Sequence, residues 1–81
     1  MNWRHQIITI KKALVRNGFR NLSDEILVAE INGGKSANAV MTEVVSKLAE
    51  FKITEEEAYN IVITEAEALR RFAKTYGIEP K

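Results

Sequence analysis

The chain reads as an all-α domain of four helices, and three features of the sequence predict it. Apolar residues recur at spacings of three and four along most of the length, which is the period of a helix face and not of a strand. Chain-breaking residues stand between the periodic stretches, at Gly18, at Asn32-Gly33-Gly34 and at Gly77 with Pro80. Capping residues precede three of the stretches, at Ser23, Ser36 and Thr54. The expected helices cover about 3–17, 24–31, 36–51 and 55–76, with the long C-terminal helix central in a compact bundle.

The first helix is set by Trp3, Ile7, Ile10 and Leu14, spaced four, three and four apart on one face, with Gly18 as its stop. The second is set by Ser23 as N-cap, with Asp24 and Glu25 favoured by the positive end of the helix dipole. Its apolar run Ile26-Leu27-Val28 also suits a short buried strand; the cap favours helix. The third has the cleanest two-sided pattern. Ala37, Val40, Met41, Val44, Leu48 and Phe51 share one face, and Asn38, Thr42, Glu43, Ser46, Lys47 and Glu50 share the other.

The fourth begins with a capping-box spacing, Thr54 to Glu57, and Ile53 is placed to staple onto Ala58. Tyr59, Val62, Ala66, Leu69, Ala73 and Tyr76 form one stripe, and Ala58, Ile61, Ala68 and Phe72 form a second beside it. So wide an apolar arc predicts an unbroken helix buried by several neighbours or by a second copy of the chain.

Composition bounds the function. The 81 residues suffice for one domain, spanning 1–81, and 46% hydrophobic with 28% charged residues is the balance of a folded chain. With no cysteine, disulfides, thiolate metal sites and a thiol nucleophile are excluded. A core this small gains from self-association. No apolar run approaches the ~20 residues of a membrane span, and Lys11 and Lys12 interrupt the N-terminal apolar stretch that a secretory signal would need. The expected location is cytoplasmic, with no membrane partner.

Charge is segregated although the net is only +1. Residues 1–22 carry five bases and no acid, residues 23–68 carry ten acids against Lys35, Lys47 and Lys52, and the C-terminal stretch is basic again. Such a pattern fits an anionic partner, or ends that fold onto the middle.

Four constellations bear on chemistry. Ala29-Glu30-Ile31-Asn32-Gly33-Gly34-Lys35-Ser36 matches a loose phosphate-loop pattern, in which backbone N–H groups wrap a phosphate, Lys neutralises it and Ser ligates magnesium. The chain is too short for the parallel sheet that such a loop serves, and its one Asp, Asp24, precedes the loop. The preferred reading is a turn whose Ser36 caps the third helix while Lys35 faces solvent. The second and third helices have the Ala29–Gly33 spacing of a helix-turn-helix, but Asn32, Gly34, Ala39 and Thr42 fall where that motif buries apolar residues. The would-be recognition helix also carries acids that repel phosphate. A plain helical hairpin is favoured.

His5, Lys12, Arg16 and Arg20 fall in line opposite the apolar face of the first helix, as a basic stripe that either stays solvated, pairs with acids such as Glu55-Glu56-Glu57, or meets an anionic partner. Glu65 projects into the apolar arc of the fourth helix, where a carboxylate needs a partner. His5 is the sole histidine and has no acid near it in sequence, and the triple Glu points in three directions; neither forms a catalytic or metal constellation.

The sequence therefore predicts a non-enzymatic regulatory or adaptor protein, without cofactor or metal. It would act by binding another protein, or itself, through helix faces. The partner-binding residues expected are Lys12, Arg16, Arg20, Ile63, Glu65 and Arg70, Ile63 standing on a polar side beside Asn60, Glu67 and Arg70. The alternative is a small nucleic-acid-binding regulator using the basic face of the first helix and a degenerate helix-turn-helix.

Overall fold

In the computed structural model, which describes residues 1–80, five helices follow one another with short turns and no strand among the described residues. They are α1 (Trp3–Arg16), α2 (Arg20–Gly33), α3 (Ala37–Thr54), α4 (Glu56–Ile61) and α5 (Ile63–Lys74). α1 starts where Asn2 Oδ1 accepts from the His5 N–H. It stops at Gly18 (φ 86°), where Gly18 N donates to Val15 O and Phe19 N to Leu14 O. That pair of bonds satisfies the orphan carbonyls of the last turn and lays Phe19 against the core. The same pattern recurs at Gly77: Gly77 N donates to Lys74 O, Ile78 N to Ala73 O, and Ile78 is buried.

Because the turn after α1 is so tight, α2 begins at Arg20, four residues before the expected start. Ser23 is therefore not its N-cap; it is a buried residue inside the first turns, its N–H bonded to Phe19 O. The strand alternative for Ile26-Leu27-Val28 is overturned, and the helix continues through Asn32 and Gly33 before breaking at Gly34 (φ 65°). Gly33 is buried against α3: a Cβ built there would lie 2.4 Å from Val40 Cα. Ser36 caps α3, its Oγ accepting from Ala39 N, and Lys35 is exposed.

α3 is the longest helix and buries Val40, Met41, Val44, Val45, Leu48 and Phe51, while Ala37 is exposed. No glycine or proline stands between Phe51 and Glu55, and α3 runs on to Thr54. The expected capping box is absent: Thr54 Oγ1 donates to Glu50 O within α3, and no side chain caps α4. Ile53 is 83% exposed and staples nothing.

The largest correction concerns the C-terminal helix. It is not one rod but two pieces, parted at Val62 (φ −113°, ψ 14°). Val62 N donates to Tyr59 O, a three-residue step, and Ala66 N then donates to Val62 O to begin α5. No glycine or proline causes the break. Ile61, Val62, Ile63 and Thr64 are four consecutive β-branched residues after Asn60, all weak helix formers. Val62 is itself fully buried at the corner. Because only one residue leaves helical geometry, Tyr59, Val62, Ala66, Leu69 and Ala73 still share one buried stripe, and Tyr76 alone is exposed.

The C-terminal pair α4–α5 does not hold the central place expected of it: it packs on α1 and α3, as α2 does, and α1 and α3 do not pack on each other. Each of these packs on α2, on α4 and on α5, whereas α2 touches neither α4 nor α5. α2 and α4–α5 therefore lie on opposite sides of the core with α1 and α3 on the other two, so the helices ring the core. The Cα radius of gyration, 11.3 Å, is that of a compact domain of this length, about 11.7 Å.

A polar clasp closes the corner between α4 and α5. The Tyr59 hydroxyl donates to Glu67 Oε1 at 2.9 Å, Arg70 Nη1 lies 3.4 Å from Glu67 Oε2, and Lys52 Nζ of α3 lies 4.0 Å from Glu67 Oε1. Burial, then the bond to Glu67, pushes the Tyr59 hydroxyl up to about 12. The Tyr59 bond, assisted by Lys52 and Arg70, holds the Glu67 carboxyl below its ordinary value. Replacing Tyr59 by Phe is expected to cost about 1 kcal/mol, below the ~1.5–3 kcal/mol of a bond to a fully buried charge. The sign of the pH dependence follows. Glu67 contributes stability above the ordinary carboxyl value of 4.5, lost as pH falls through its lowered pKa. Tyr59 contributes stability below 10, lost as pH rises toward about 12. Urea titrations of wild type and Tyr59→Phe between pH 3 and 11 should show a shallower dependence at both ends in the variant; parallel curves would count against the clasp.

Candidate functional site

The packing order leaves each helix an outward side, and that of α2 carries the most large apolar residues. Leu22, Ile26, Ala29 and Gly33 form the buried stripe of α2, so its remaining apolar residues must face outward. Leu27 is 46% exposed, Val28 53% and Ile31 67%. Ile8 and Val15 of α1 and Ile53 of α3 are exposed as well, so six of the ten large exposed apolar residues among those described belong to α2 or to the two helices flanking it. Single exposed apolar residues are ordinary; several on one helix face mark a contact surface.

A groove lies on either side of α2. Lys11, Lys12, Val15 and Arg16 of α1 face Ser23, Asp24 and Leu27 across the first, and Lys11 is bridged farther along α2 to Glu30, so α1 and α2 run antiparallel. Glu25, Val28, Ala29 and Asn32 face Glu43, Lys47, Ala49, Glu50 and Ile53 across the second. There Lys47 Nζ lies 3.0 Å from Glu50 and 3.5 Å from Glu25, and these contacts, the Glu50 hydrogen bond foremost, raise its pKa. The first groove is edged mainly by cations, the second mainly by carboxylates.

The residues expected to bind a partner divide into two groups. Lys12 and Arg16 are exposed on α1, and Arg20 is exposed at the first position of α2, not on the first helix; none makes an ion pair among the described residues. This group borders the uncovered face. Ile63, Glu65 and Arg70 lie on α5, which does not touch α2. Ile63 is 42% exposed, Arg70 is tied to Glu67, and Glu65 is half-buried instead of sunk in an apolar arc, because the break at Val62 and the packing of α5 turn it to the edge.

Leu27, Val28 and Ile31 escaped the sequence reading. Their signal was present: once the helix starts at Arg20, the period places Leu22, Ile26, Ala29 and Gly33 inside and strands the other three outside.

The phosphate-loop match has no strand before it, since Ala29–Gly33 are helical. Among the described residues, no three His, Asp or Glu side chains lie together as a metal site, and no helix is long and apolar enough to cross a membrane. His5 is exposed at the start of α1, far along the chain from the Glu55–Glu57 run, of which Glu56 and Glu57 are exposed and Glu55 half-buried.

These features define a small all-helical domain in which the outward face of α2 lies between two grooves of opposite charge. Comparison with protein-family models, with curated proteins and with solved structures found no match.

Proposed function

We propose that this chain is a non-enzymatic binding protein that acts through the outward face of α2 and its two flanking grooves. The observation that carries the reading is the row Leu27, Val28 and Ile31 on a helix covered on its inner side only. Holding three such residues in water is unfavourable, and covering each is worth up to ~1.5–3 kcal/mol at full burial. The rims supply orientation, since charges at the edge of an apolar contact steer encounter and fix register more than they add affinity.

Nucleic acid is a weaker fit. Lys12, Arg16 and Arg20 have Asp24 beside them, and the α2–α3 groove has carboxylates that repel phosphate.

A photoreactive residue placed in living cells at Leu27, Val28, Glu57 or Lys74 tests the reading. Cross-links to identified protein chains should concentrate at Leu27 and Val28, and the purified pair should lose at least tenfold in affinity on Leu27→Asp. Equal labelling at all four positions, or salt-sensitive binding of the purified chain to duplex DNA or RNA without protein cross-links, would overturn it.

A further inference from the structure

We propose that the groove between α1 and α2 receives an amphipathic helix of another protein, its apolar side on the groove and carboxylates along the edge that meets α1. The inference rests on the binding role above and names the chemistry of the partner.

The groove is built from one side of each helix. Ile8, Lys12 and Val15 stand four and three residues apart on α1, and Asp24, Leu27 and Ile31 stand three and four apart on α2, so each trio shares one helix face. Lys12, Val15, Asp24 and Leu27 line the groove itself. Ile8 and Ile31 continue its two lips past the bridge of Lys11 to Glu30 that ties the helices together. Ile8 is 43% exposed, Val15 39%, Leu27 46% and Ile31 67%. Two antiparallel helices with apolar residues at this spacing on their outward sides leave a seam for a third helix, whose own apolar residues would recur three, four and seven apart.

Two further observations fix the chemistry of the occupant. Lys12 and Arg16 stand one turn apart on the α1 lip, both exposed, and neither makes an ion pair among the described residues. The one carboxylate lining the groove, Asp24, is on the opposite lip. The α1 edge therefore matches acids on the occupant, and charges so placed fix its register while the apolar seam supplies affinity. Ser23, in turn, is only 6% exposed, and its hydroxyl has no hydrogen-bond partner among the described residues. It is not sealed beneath the surface, because it lines the groove together with Val15 and Arg16. An occupant that displaces water from this hydroxyl must present a polar atom to it. A carboxylate oxygen accepts from it in the field of Lys12 and Arg16.

The test titrates the full chain with two labelled synthetic helices. They share leucines at spacings of three and four and differ along one edge, glutamate in the first and lysine in the second. Fluorescence anisotropy should show the acidic helix bound about tenfold tighter, with the gap closing as salt rises, because exposed charges are screened. Lys12→Glu with Arg16→Glu should reverse the preference. Arg71→Glu with Lys74→Glu, the same change of net charge on exposed positions of α5, should leave it in place. Ser23→Ala should weaken the acidic helix roughly threefold, the loss of one hydrogen bond, and Leu27→Asp should abolish its binding. Each variant is compared at intact helical circular dichroism. Equal affinity for the two helices, no binding of either, an equal effect of the α5 pair, an unmoved Ser23→Ala, or binding that survives Leu27→Asp would overturn the proposal. So would cellular cross-links at Leu27 that join two copies of this chain. If the synthetic helices fail while the cross-links at Leu27 and Val28 lead to a foreign protein, the acidic helix is the wrong occupant and the binding role stands; if the cross-links fail too, both fall.

Discussion

Replacing Gly33 by Ala is expected to destabilise the domain by about 3 kcal/mol, the upper end of the cost of overpacking, and to lower the melting temperature by roughly 15 °C. The added methyl would lie 2.4 Å from Val40 Cα, 2.6 Å from Val40 N and 2.7 Å from Val40 Cγ2. Two of these atoms are backbone, so relief requires α2 and α3 to move apart at the turn that joins them. Trimming Val40 to Ala removes only the Cγ2 contact and should not rescue the variant. Gly34→Ala separates clash from strain: nothing stands within 4 Å of its would-be Cβ, and its cost comes from φ 65° with ψ −131° alone, about 1–2 kcal/mol. Thermal and urea melts of the two variants, followed by circular dichroism, should place Gly33→Ala clearly below Gly34→Ala. Equal stability of Gly33→Ala and wild type would mean that the two helices do not approach as described.

Truncating Leu69 to Ala is expected to cost about 3 kcal/mol, while the same change at Leu27 should stay within about 0.5 kcal/mol. Leu69 is fully buried in α5, the helix that packs on both α1 and α3; Leu27 is 46% exposed on α2. Deleting the first leaves a cavity in the core, and deleting the second leaves only less apolar surface in water. For 81 residues a total stability of about 4–12 kcal/mol is ordinary, so Leu69→Ala would remove a large share of it. The comparison bears on the proposed binding face, because it separates apolar residues that hold the fold from those that do not. Urea unfolding of dilute samples, where self-association is suppressed, measures both. Similar losses at the two positions would show that Leu27 is part of the core and would remove the basis for a binding face on α2.

Much of the fold was legible because helix faces repeat with a fixed period. Ile7, Ile10 and Leu14 inside α1, Val40, Met41, Val44, Leu48 and Phe51 inside α3, and Tyr59, Val62, Ala66, Leu69 and Ala73 in the C-terminal stripe are all buried as their spacing implies. The stops at Gly18 and Gly77, and the Ser36 cap, also follow from residue type. The boundaries misread were those where a side chain had two uses. Ser23 caps well, yet it is buried within α2; Thr54 fits a capping box, yet it bonds backward to Glu50. The break at Val62 was missed because β-branched residues lower helix propensity by only tenths of a kcal/mol each, a signal that the unbroken apolar stripe overrode.

The candidate site was less legible than the fold. Lys12 and Arg16 are exposed as expected, since cations set opposite the apolar face of α1 remain outside whatever the packing; Arg20 is exposed too, but on α2. Leu27, Val28 and Ile31 were not found, because an apolar run reads as core until its neighbours are known. The sequence by itself determined that the chain is helical, where its main apolar faces lie and that its charges are segregated, because those properties depend on residues within a turn or two of one another. Only the tertiary structure decided that the helices ring the core with α1 and α3 apart, that α2 is covered on one side, and that opposite charges flank its open face. Those facts depend on which helix lies beside which, and that is set by contacts between residues far apart in the chain, such as Gly33 on Val40, Lys11 with Glu30 and Lys47 with Glu25.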